Sequence, residues 1–585
     1  MHQKSVNKDY SDKNCDYSYS ATYFQKMCGI YFCCVMDGCD ELCDLDSCRK
    51  ILARRGPDFT QEKSLQCGGF CLRLFSSVLW LQGDMMAEQP VLDEFENVLM
   101  WNGDIFEMKD CQPNSHESDT VLLSRLLSQA STPTEILNIM SAIKGPWAFV
   151  YFHKASNTVW FGRDFFGRQS LLISRSAGRL SLSSAVIREL SEYDEVPALG
   201  LYSCHLAGGV TGPLILHPWD CLQHSLDTEL LTKFDCSIST ESLTCPVSLQ
   251  SNLSEVELNC EDSPSLFSEL LLQPDIARLV TELKELLTQS VVTRVTHQPG
   301  LCKDCLALRP GPGVGCPHAA TAVLFSGGLD SCVLASVAAE VLPPGQPLHL
   351  YNVAFQQAGG DYNVPDRLTG LQGYNELRAL HPTRHISFIQ VNVTLQELQE
   401  LRAERIRDLL HPLNTVLDDS IGCAVWWAGR GTGLDLGTGE TIQSRARVLL
   451  LGMGIDEQLG GYSRHRTAAQ RHGASGLAAE LIREISNISE RNLGRDNRIV
   501  SDHGVAPRFP FLDENLVNFL SKVPINLKSD YKFGRGRGEK LILRLVAHQM
   551  GLLNTATEPK RAVQFGSRIA KMENRKEKGA QVAVR

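Results

Sequence analysis

The segment "AVLFSGGLDSCVLASVAA", residues 322–339, contains the signals that decide the fold of the second half of the chain. Apolar residues 322–325 predict a buried strand, the Ser-Gly-Gly triplet predicts a tight turn, and residues 329–342 predict a helix. The first amides of such a helix carry partial positive charge, and glycine lets an anion approach the backbone closely. The segment therefore predicts a phosphate-binding loop. It lacks the Gly-Lys-Ser/Thr ending of a Walker loop.

The pattern around this loop extends from about residue 268. An amphipathic helix, "ARLVTELKELLTQSVVTRV", is followed by alternating strand and helix signals. Such alternation predicts a doubly wound α/β domain, with a parallel sheet covered by helices on both faces.

The first half of the chain has a different pattern. Between residues 28 and 184, short apolar runs are broken by Gly and Asn, and one helix is predicted at "SDTVLLSRLLSQA". We predict an α+β domain at 28–190. Residues 191–267 are predicted to contain the end of this first domain and a linker rich in Ser, Thr and acidic residues. An α/β domain at 268–570 and a charged tail at 571–585 complete the predicted order. Residues 1–27 are polar and predicted to be disordered.

Composition narrows the class of protein. The 585 residues carry a net charge of −10, which disfavours nucleic acid or an anionic membrane as a partner. We find no apolar run of the roughly 18 residues that a membrane span needs, and no signal-peptide core near the start. We therefore expect a soluble cytoplasmic protein whose twenty cysteines are reduced thiols.

Several segments of the second half resemble one family. The S-G-G-x-D-S loop resembles the pyrophosphate loop of ATP pyrophosphatases. The segments "VLLLGMGIDEQLGGYSRHR" (448–466), "APRFPFLDENL" (506–516) and "RGEKLILR" (537–544) resemble asparagine synthetases. The resemblance implies ATP and Mg²⁺ as cofactors, with Lys540 stabilising charge on the phosphates or the adenylate. It implies that pyrophosphate is bound by Ser326, Gly327, Gly328, Asp330, Ser331 and Gly452, and magnesium by Asp330 and Asp456.

The first half resembles the class II glutamine amidotransferase domain of the same family, a four-layer N-terminal nucleophile sandwich. The resemblance is carried by "MCGI" (27–30), "RRGPD" (54–58), "AEQPV" (87–91), "NGDIF" (102–106), "GPWAFVYF" (145–152) and "RDFFGRQSLL" (163–172). It implies that Cys28 attacks the amide of glutamine and that Asn102 and Gly103 form the oxyanion hole. It also implies that Arg73, Asp104 and Asp119 bind glutamine.

In that family the α-amine of the N-terminal cysteine takes the thiol proton. A peptide nitrogen cannot do this, because only a free amine is basic near neutral pH. We therefore expect translation from Met27, or processing there, followed by removal of methionine to expose Cys28.

The chain departs from the family at several positions and resembles a divergent branch. Met453 replaces a glutamate between two glycines, Leu451 replaces a serine, and Asp418 and Asp419 stand where hydroxyl side chains are usual. The expected reaction is glutamine-dependent amidation of aspartate through its adenylate. Two alternatives stay open: the same chemistry on another carboxylate acceptor, and a nucleotide-binding scaffold without full activity. A homodimer, or a protein partner recruited by the linker, is also compatible with the sequence.

One further group of residues has metal-ligand chemistry. Cys302, Cys305, Cys316 and His318, within "CKDCLALRPGPGVGCPH", are a candidate zinc site by ligand type. Their spacing departs from that of common zinc fingers, and free cysteines are also common as small buried apolar residues.

Overall fold

The computed structural model describes residues 28–572 except 37–42, 57, 84, 110–116, 177, 207–212, 224–225, 227, 259–262 and 308–315. The predicted disordered extension 1–27 lies outside the described residues. So does the predicted charged tail beyond Met572.

The first half is built mainly from strands, as predicted. Its strands are β1 (Gly29–Met36), β2 (Phe59–Cys67), β3 (Phe70–Val78), β4 (Val91–Leu92), β5 (Val98–Gly103), β6 (Glu107–Met108), β7 (Ile143–Lys144), β8 (Trp147–His153), β9 (Thr158–Arg163), β10 (Leu172–Ser176), β11 (Arg179–Ser183), β12 (Asp194–Glu195), β13 (Gly200–His205), β14 (Leu214–Pro218) and β15 (Cys236–Ile238). Its helices are α1 (Leu45–Ala53), α2 (Asp119–Ser128), α3 (Pro133–Ser141) and α4 (Thr228–Lys233). Helix α2 confirms the helix predicted at "SDTVLLSRLLSQA".

Two sheets organise this half, one in the order β12-β10-β11-β1-β3-β2 and one in the order β15-β14-β13-β9-β8-β5-β4. Their facing sides share one apolar core, to which β1 contributes Phe32 and β8 contributes Val150. Successive residues of a strand point to opposite faces, so Phe149 and Tyr151 lie on the other side of β8. There the Tyr151 hydroxyl donates to the carbonyl of Leu127 in α2. Both faces of the central strands are therefore buried.

The second half alternates helices and strands. Its strands are β16 (Thr321–Leu324), β17 (Leu348–Phe355), β18 (Ile386–Val393), β19 (Thr432–Asp435), β20 (Thr441–Gln443), β21 (Val448–Leu450) and β22 (Ala506–Arg508). Its helices are α5 (Leu266–Leu271), α6 (Pro274–Thr296), α7 (Lys303–Ala307), α8 (Leu329–Val341), α9 (Pro365–Leu380), α10 (Leu395–Leu401), α11 (Arg407–Leu410), α12 (Val416–Gly429), α13 (Ile455–Leu459), α14 (Ser463–Ser486, kinked at Gly473), α15 (Gly494–Ser501), α16 (Glu514–Lys522), α17 (Ile525–Lys528), α18 (Leu541–Gln549), α19 (Leu553–Thr557), α20 (Val563–Gly566) and α21 (Ile569–Met572).

The predicted parallel sheet is confirmed. Five parallel strands lie in the order β18-β17-β16-β21-β22, and the antiparallel strands β19 and β20 extend one edge. Neighbouring residues of β16 enter different cores, Ala322 facing α12 and Val323 facing α8, so helices cover both faces. Chain order reverses between β16 and β21, and ligands of open α/β sheets bind at such switch points. The turns after these two strands therefore define a candidate site.

The predicted linker runs along the second domain. The backbone amide of Asn252 donates to the carbonyl of Ser521, and that of Val256 donates to the side-chain oxygen of Asn526. These bonds attach the segment to α16 and α17. Recruitment of a partner through it stays a prediction.

Buried ion pairs join the two halves. Arg54 binds Asp502 at 2.6 Å, and Arg168 binds Glu514 at 2.5 Å. Because unpaired charges are costly to bury, these pairs favour one relative placement of the domains.

The expectation of reduced cysteines throughout is wrong at one position. Cys221 and Cys245 form a disulfide, with Cα atoms 5.9 Å apart. Each follows by two residues a member of the bridge pair Trp219 and Leu243, so local pairing brings them within bonding range. Among the described residues, no helix has the length and apolar character needed to cross a membrane.

Candidate active sites

The turn after β16 builds one wall of a cavity of about 860 Å³. Gly327 has φ +77°, and a side chain there would collide with the backbone of Thr369 and Gly370 in α9. The residues of this turn that line the cavity include Ser326, Gly328, Asp330 and Ser331. Gly327 therefore allows the turn to pack closely against α9, and its predicted phosphate contact stays a prediction.

The turn after β21 faces the first turn across the same cavity, to which it contributes Gly452, Met453 and Asp456. A Cβ atom added to Gly452 would lie 3.3 Å from the Cβ of Asp330. Parallel pairing of β16 with β21 places both turns at the same edge of the sheet. The structure thus brings the two sequence motifs together.

Two lysines bind the two aspartates. Lys540 Nζ lies 2.8 Å from both carboxylate oxygens of Asp330 and 2.5 Å from Asp456 Oδ1. Lys560 Nζ contacts Asp456 and lies 3.6 Å from Asp330 Oδ2. Burial alone would raise the pKa of Asp456, but the two ammonium groups bring it well below its usual range. Burial would lower the pKa of Lys560, but Asp456 and Asp330 raise it above its usual range, so Asp456 and Lys560 hold each other in their charged forms.

This donor set fits magnesium, because two carboxylates converge on one point and Mg²⁺ prefers oxygen ligands. Asp330 and Asp456 would hold the ion, with Lys540 and Lys560 as cationic neighbours. Sequence reasoning missed Lys560, which lies in the loop after α19, outside every recognised motif. Its place beside Asp330 and Asp456 is seen only in the folded chain.

Glu457 and Asp366 are among the further acidic residues that line the cavity and were not assigned from the sequence. Glu457 accepts a hydrogen bond from the Tyr462 hydroxyl at 2.6 Å, while its second oxygen is buried without a partner among the described residues. Burial, followed by the nearby Asp456, raises the pKa of Glu457. Burial also raises the pKa of Asp366 to about 7, although Arg561 and Lys560 act in the opposite direction. Proton acceptors are therefore present in the cavity despite Met453.

The aspartate pair at the start of α12 divides between two environments. Asp418 lines the cavity and binds Arg495 at 2.6 Å. Asp419 pairs with Arg402 at 3.2 Å, and the cavity lining does not include it. Of the two residues, Asp418 is therefore the one that faces the cavity.

A second, much smaller cavity of about 40 Å³ surrounds Cys28. Its thiol lies beside the end of β3, where the Leu79 amide donates to Sγ at 3.3 Å. Burial raises the pKa of the Cys28 thiol to about 12. At neutral pH the thiol therefore needs a base before it can act as a nucleophile.

Asn102, Gly103, Asp104 and Asp119 line the same cavity, as the sequence predicts. The Asn102 Nδ2 group is buried and has no hydrogen-bond partner among the described residues. A donor left without a partner beside a nucleophile suits an oxyanion that forms only during reaction. Burial, followed by the charge of Asp104, raises the pKa of Asp119 to about 7.

The glutamine-binding role predicted for Arg73 is wrong. Arg73 is an exposed residue of β3, opposite Cys33 in β1 and Ser64 in β2. Six residues of strand separate it from Leu79, a distance of about 20 Å that an arginine side chain cannot span. The described lining of the small cavity contains neither lysine nor arginine.

Asp104 takes part in a contact between the domains. Both of its carboxylate oxygens accept from Nη2 of Arg508 in β22, each at 3.0 Å, and Oδ1 also accepts from Gln82. Arg508 lies in the segment 506–516, which sequence reasoning recognised but gave no partner. The second domain thus closes one side of the small cavity.

Comparisons with known proteins find a different family in each half of the chain. The family described as "Asparagine synthase" matches residues 319–476 and 467–576, and the family "Glutamine amidotransferase domain" matches residues 77–190. Asparagine synthetase domain-containing protein 1 of Gallus gallus is 38% identical over 94% of this chain and 98% of its own length. The Homo sapiens protein is 36% identical over 95% and 97%.

The chain therefore belongs to the asparagine synthetase domain-containing protein family, in which a glutamine amidotransferase domain precedes an asparagine synthase domain. An asparagine synthetase domain-containing protein of Drosophila melanogaster is 35% identical over 95% of this chain and 99% of its own length. Among solved structures, a glutamine phosphoribosylpyrophosphate amidotransferase from B. subtilis is 14% identical, with a TM-score of 0.25. It covers 56% of this chain and 66% of that protein, a likeness too weak to argue from.

Proposed function

We propose that this protein is a glutamine-dependent, asparagine synthetase-like enzyme that adenylates a carboxylate with ATP and amidates it with ammonia. The observation that carries the proposal is the convergence of Asp330, Asp456, Lys540 and Lys560 at the sheet's switch point. Carboxylates for a metal and lysines for phosphate charge at one place suit cleavage between the α and β phosphates.

The residues of the large cavity divide the work. Ser326, Gly328 and Ser331 would bind the pyrophosphate part, while Lys540 and Lys560 stabilise negative charge that develops on it. Magnesium, when bound by Asp330 and Asp456, neutralises charge on the leaving group. Glu457 is the candidate that accepts a proton from ammonia, because Met453 cannot.

The small cavity would supply the ammonia. Cys28 attacks the amide carbon of glutamine, Asn102 and Gly103 stabilise the oxyanion, and water hydrolyses the resulting thioester. Asp104 and Asp119 suit the α-amine of glutamine. We also assign this half to the four-layer N-terminal nucleophile arrangement, which its two facing sheets support. A cytoplasmic location belongs to the same proposal, since most described cysteines are free.

The test is pyrophosphate release by a chain that begins at Met27, supplied with ATP, magnesium and aspartate. Ammonium chloride in one arm and glutamine in the other separate the two cavities. We expect release in both arms, with asparagine as product, and a loss of about 10²–10³-fold in Asp330→Asn. Asp275→Asn, an exposed aspartate in the first turn of α6, is the matched control. Pyrophosphate release that Asp330→Asn leaves intact would contradict the proposal.

A different acceptor is the second candidate function, and Asp418 favours it. This carboxylate and Asp496 both bind Arg495, so a fully buried guanidinium is already neutralised at that end of the cavity. Such an end suits an acceptor that carries a cationic or hydrogen-bond-donating group. Pyrophosphate release with a mixture of amino acids, but not with aspartate alone, would support this second candidate function.

A further inference from the structure

The four metal-type residues of the second domain converge. The ligand atoms of Cys302, Cys305, Cys316 and His318 all lie within 4.8 Å of one another. His318 Nδ1 is 3.4 Å from the Sγ atoms of both Cys302 and Cys305. Zn–S bonds of about 2.3 Å and Zn–N bonds of about 2.0 Å give tetrahedron edges of roughly 3.5–3.8 Å. The sulfur-nitrogen distances are therefore close to those around a bound zinc ion.

We propose that these four side chains bind one Zn²⁺ ion in a closed structural site. Three sulfurs and one imidazole form a Cys₃His set, which is typical of structural zinc. The three cysteines are free thiols, so no disulfide competes for them. Four protein ligands leave no open position for water, which distinguishes this site from a catalytic metal centre.

The hydrogen bonds of His318 define what zinc binding must change. Arg445 Nη1 donates to His318 Nε2 at 2.9 Å, which requires the proton of the neutral ring to sit on Nδ1. When Nδ1 binds the metal, the proton moves to Nε2, and two donors would face each other. Arg445 must then release His318 and keep its ion pair with Asp304, now at 3.0 Å. Arg445 is thus a neighbour of the site rather than a ligand.

The position of the site suggests what it stabilises. Its residues lie between α6 and β16, directly before the strand that carries the phosphate loop. The Lys303 amide donates to the Arg445 carbonyl, and Lys303 Nζ donates to the His503 carbonyl at 3.0 Å. Zinc would therefore hold this connection against the segment that leads into β21.

The same segment reaches the first domain. Arg447 donates from its backbone to the carbonyl of Ala320, and from its guanidinium to Asp58 and to the carbonyl of Trp80. Trp80 lines the small cavity around Cys28. The zinc site thus lies next to a contact that joins the segment leading into β21 to a residue that lines the small cavity.

The experiment measures metal in the full chain, expressed with added zinc and purified without chelators. We expect about one zinc per chain by mass spectrometry, falling below about 0.1 in Cys316→Ser and His318→Ala. Two matched controls should keep about one zinc: Cys71→Ser, a half-buried thiol of β3, and Arg445→Gln, which removes only the neighbour of His318.

Two further measurements use the wild-type protein and therefore do not depend on whether the variants fold. On the wild-type protein, a mercurial reagent that blocks thiols should release the zinc, and cobalt substitution should produce the visible absorption of cobalt-thiolate bonds. Wild-type protein with less than about 0.1 zinc after incubation with one equivalent overturns the proposal. Full zinc in Cys316→Ser, or bound iron with visible absorption, also overturns it.

Discussion

The two cavities differ in how their residues come together. The large one is formed by two turns after neighbouring parallel strands, each with its glycines and its aspartate in one short segment. The small one is formed by the end of β3 in one sheet, the end of β5 in the other sheet and the start of α2, so its assembly depends on strand register and on how the two sheets pack. A site made of local turn motifs is therefore visible in a sequence. A site that depends on strand register is visible only in part.

The largest effect is expected at the nucleophile. Cys28→Ala should reduce glutamine-driven glutamate formation by at least about 10³-fold, because Cys28 is the one thiol among the described residues that line the small cavity. Ammonia-driven pyrophosphate release should stay within about twofold, since the large cavity is unchanged. Cys71→Ser is the control in both assays. Equal losses with glutamine and ammonia would mean that the two cavities are not separate sites.

The pH profile of the same activity tests the terminal amine. With the thiol pKa raised to about 12, a chain that keeps residues 1–27 has almost no thiolate near pH 7. Its rate should rise with pH through the alkaline range. A chain that begins at Cys28 has a base with a pKa near 7.7–8.0, so its rate should level off above about pH 8. Identical profiles for the two proteins would contradict a role for the amine.

The next effect concerns the contact between the domains. Arg508→Gln should destabilise the protein by about 3–5 kcal/mol, because it leaves the buried carboxylate of Asp104 without its charged partner. Urea unfolding followed by tryptophan fluorescence would measure the shift in midpoint. The double variant with Asp104→Asn should recover part of the loss. Purely additive losses would mean that the two side chains are not coupled.

A smaller effect, and a gain, is expected at Met453. If proton transfer limits amidation of aspartate, Met453→Glu should raise asparagine formation by about tenfold or more, since a positioned base contributes at least that much. Met453→Gln matches the shape of the glutamate without its basicity and should give no gain. Lower activity in Met453→Glu than in Met453→Gln would mean that a glutamate at this position is not needed. Either Glu457 already accepts the proton, or the protein amidates a substrate other than aspartate.

The smallest effect is expected at Arg73. Arg73→Ala should change the KM for glutamine by less than about twofold, because the exposed side chain lies about 20 Å along the strand from Leu79. Glutamate formation across a glutamine titration would measure it. A tenfold increase in KM would restore the role predicted from the sequence.

The elements of the second domain were largely predictable. Residues 322–325 and 329–342 predict a strand and a helix, and the structure has them at Thr321–Leu324 and Leu329–Val341. Periodicity and glycine placement suffice there, because strand, turn and helix follow one another directly. Arg73 shows the limit: the family resemblance implies that it binds the carboxylate of glutamine, but a sequence does not give the end of the strand relative to Cys28. Lys560 and Arg508 show it again, since their partners Asp456 and Asp104 lie more than a hundred residues away.

The sequence by itself determined the family, the order of its two segments, and the strand, turn and helix that carry the proposed phosphate loop, and it marked Cys28 as the proposed nucleophile. Each depends on neighbouring residues whose backbone preferences and chemistry act over one or two turns. Only the tertiary structure decided that two lysines bind the two aspartates and that Arg508 of the second domain binds Asp104, which lines the cavity of Cys28. It also decided that three cysteines and a histidine meet at one point. Such contacts depend on how strands and helices pack across the whole chain, and no local preference specifies that packing.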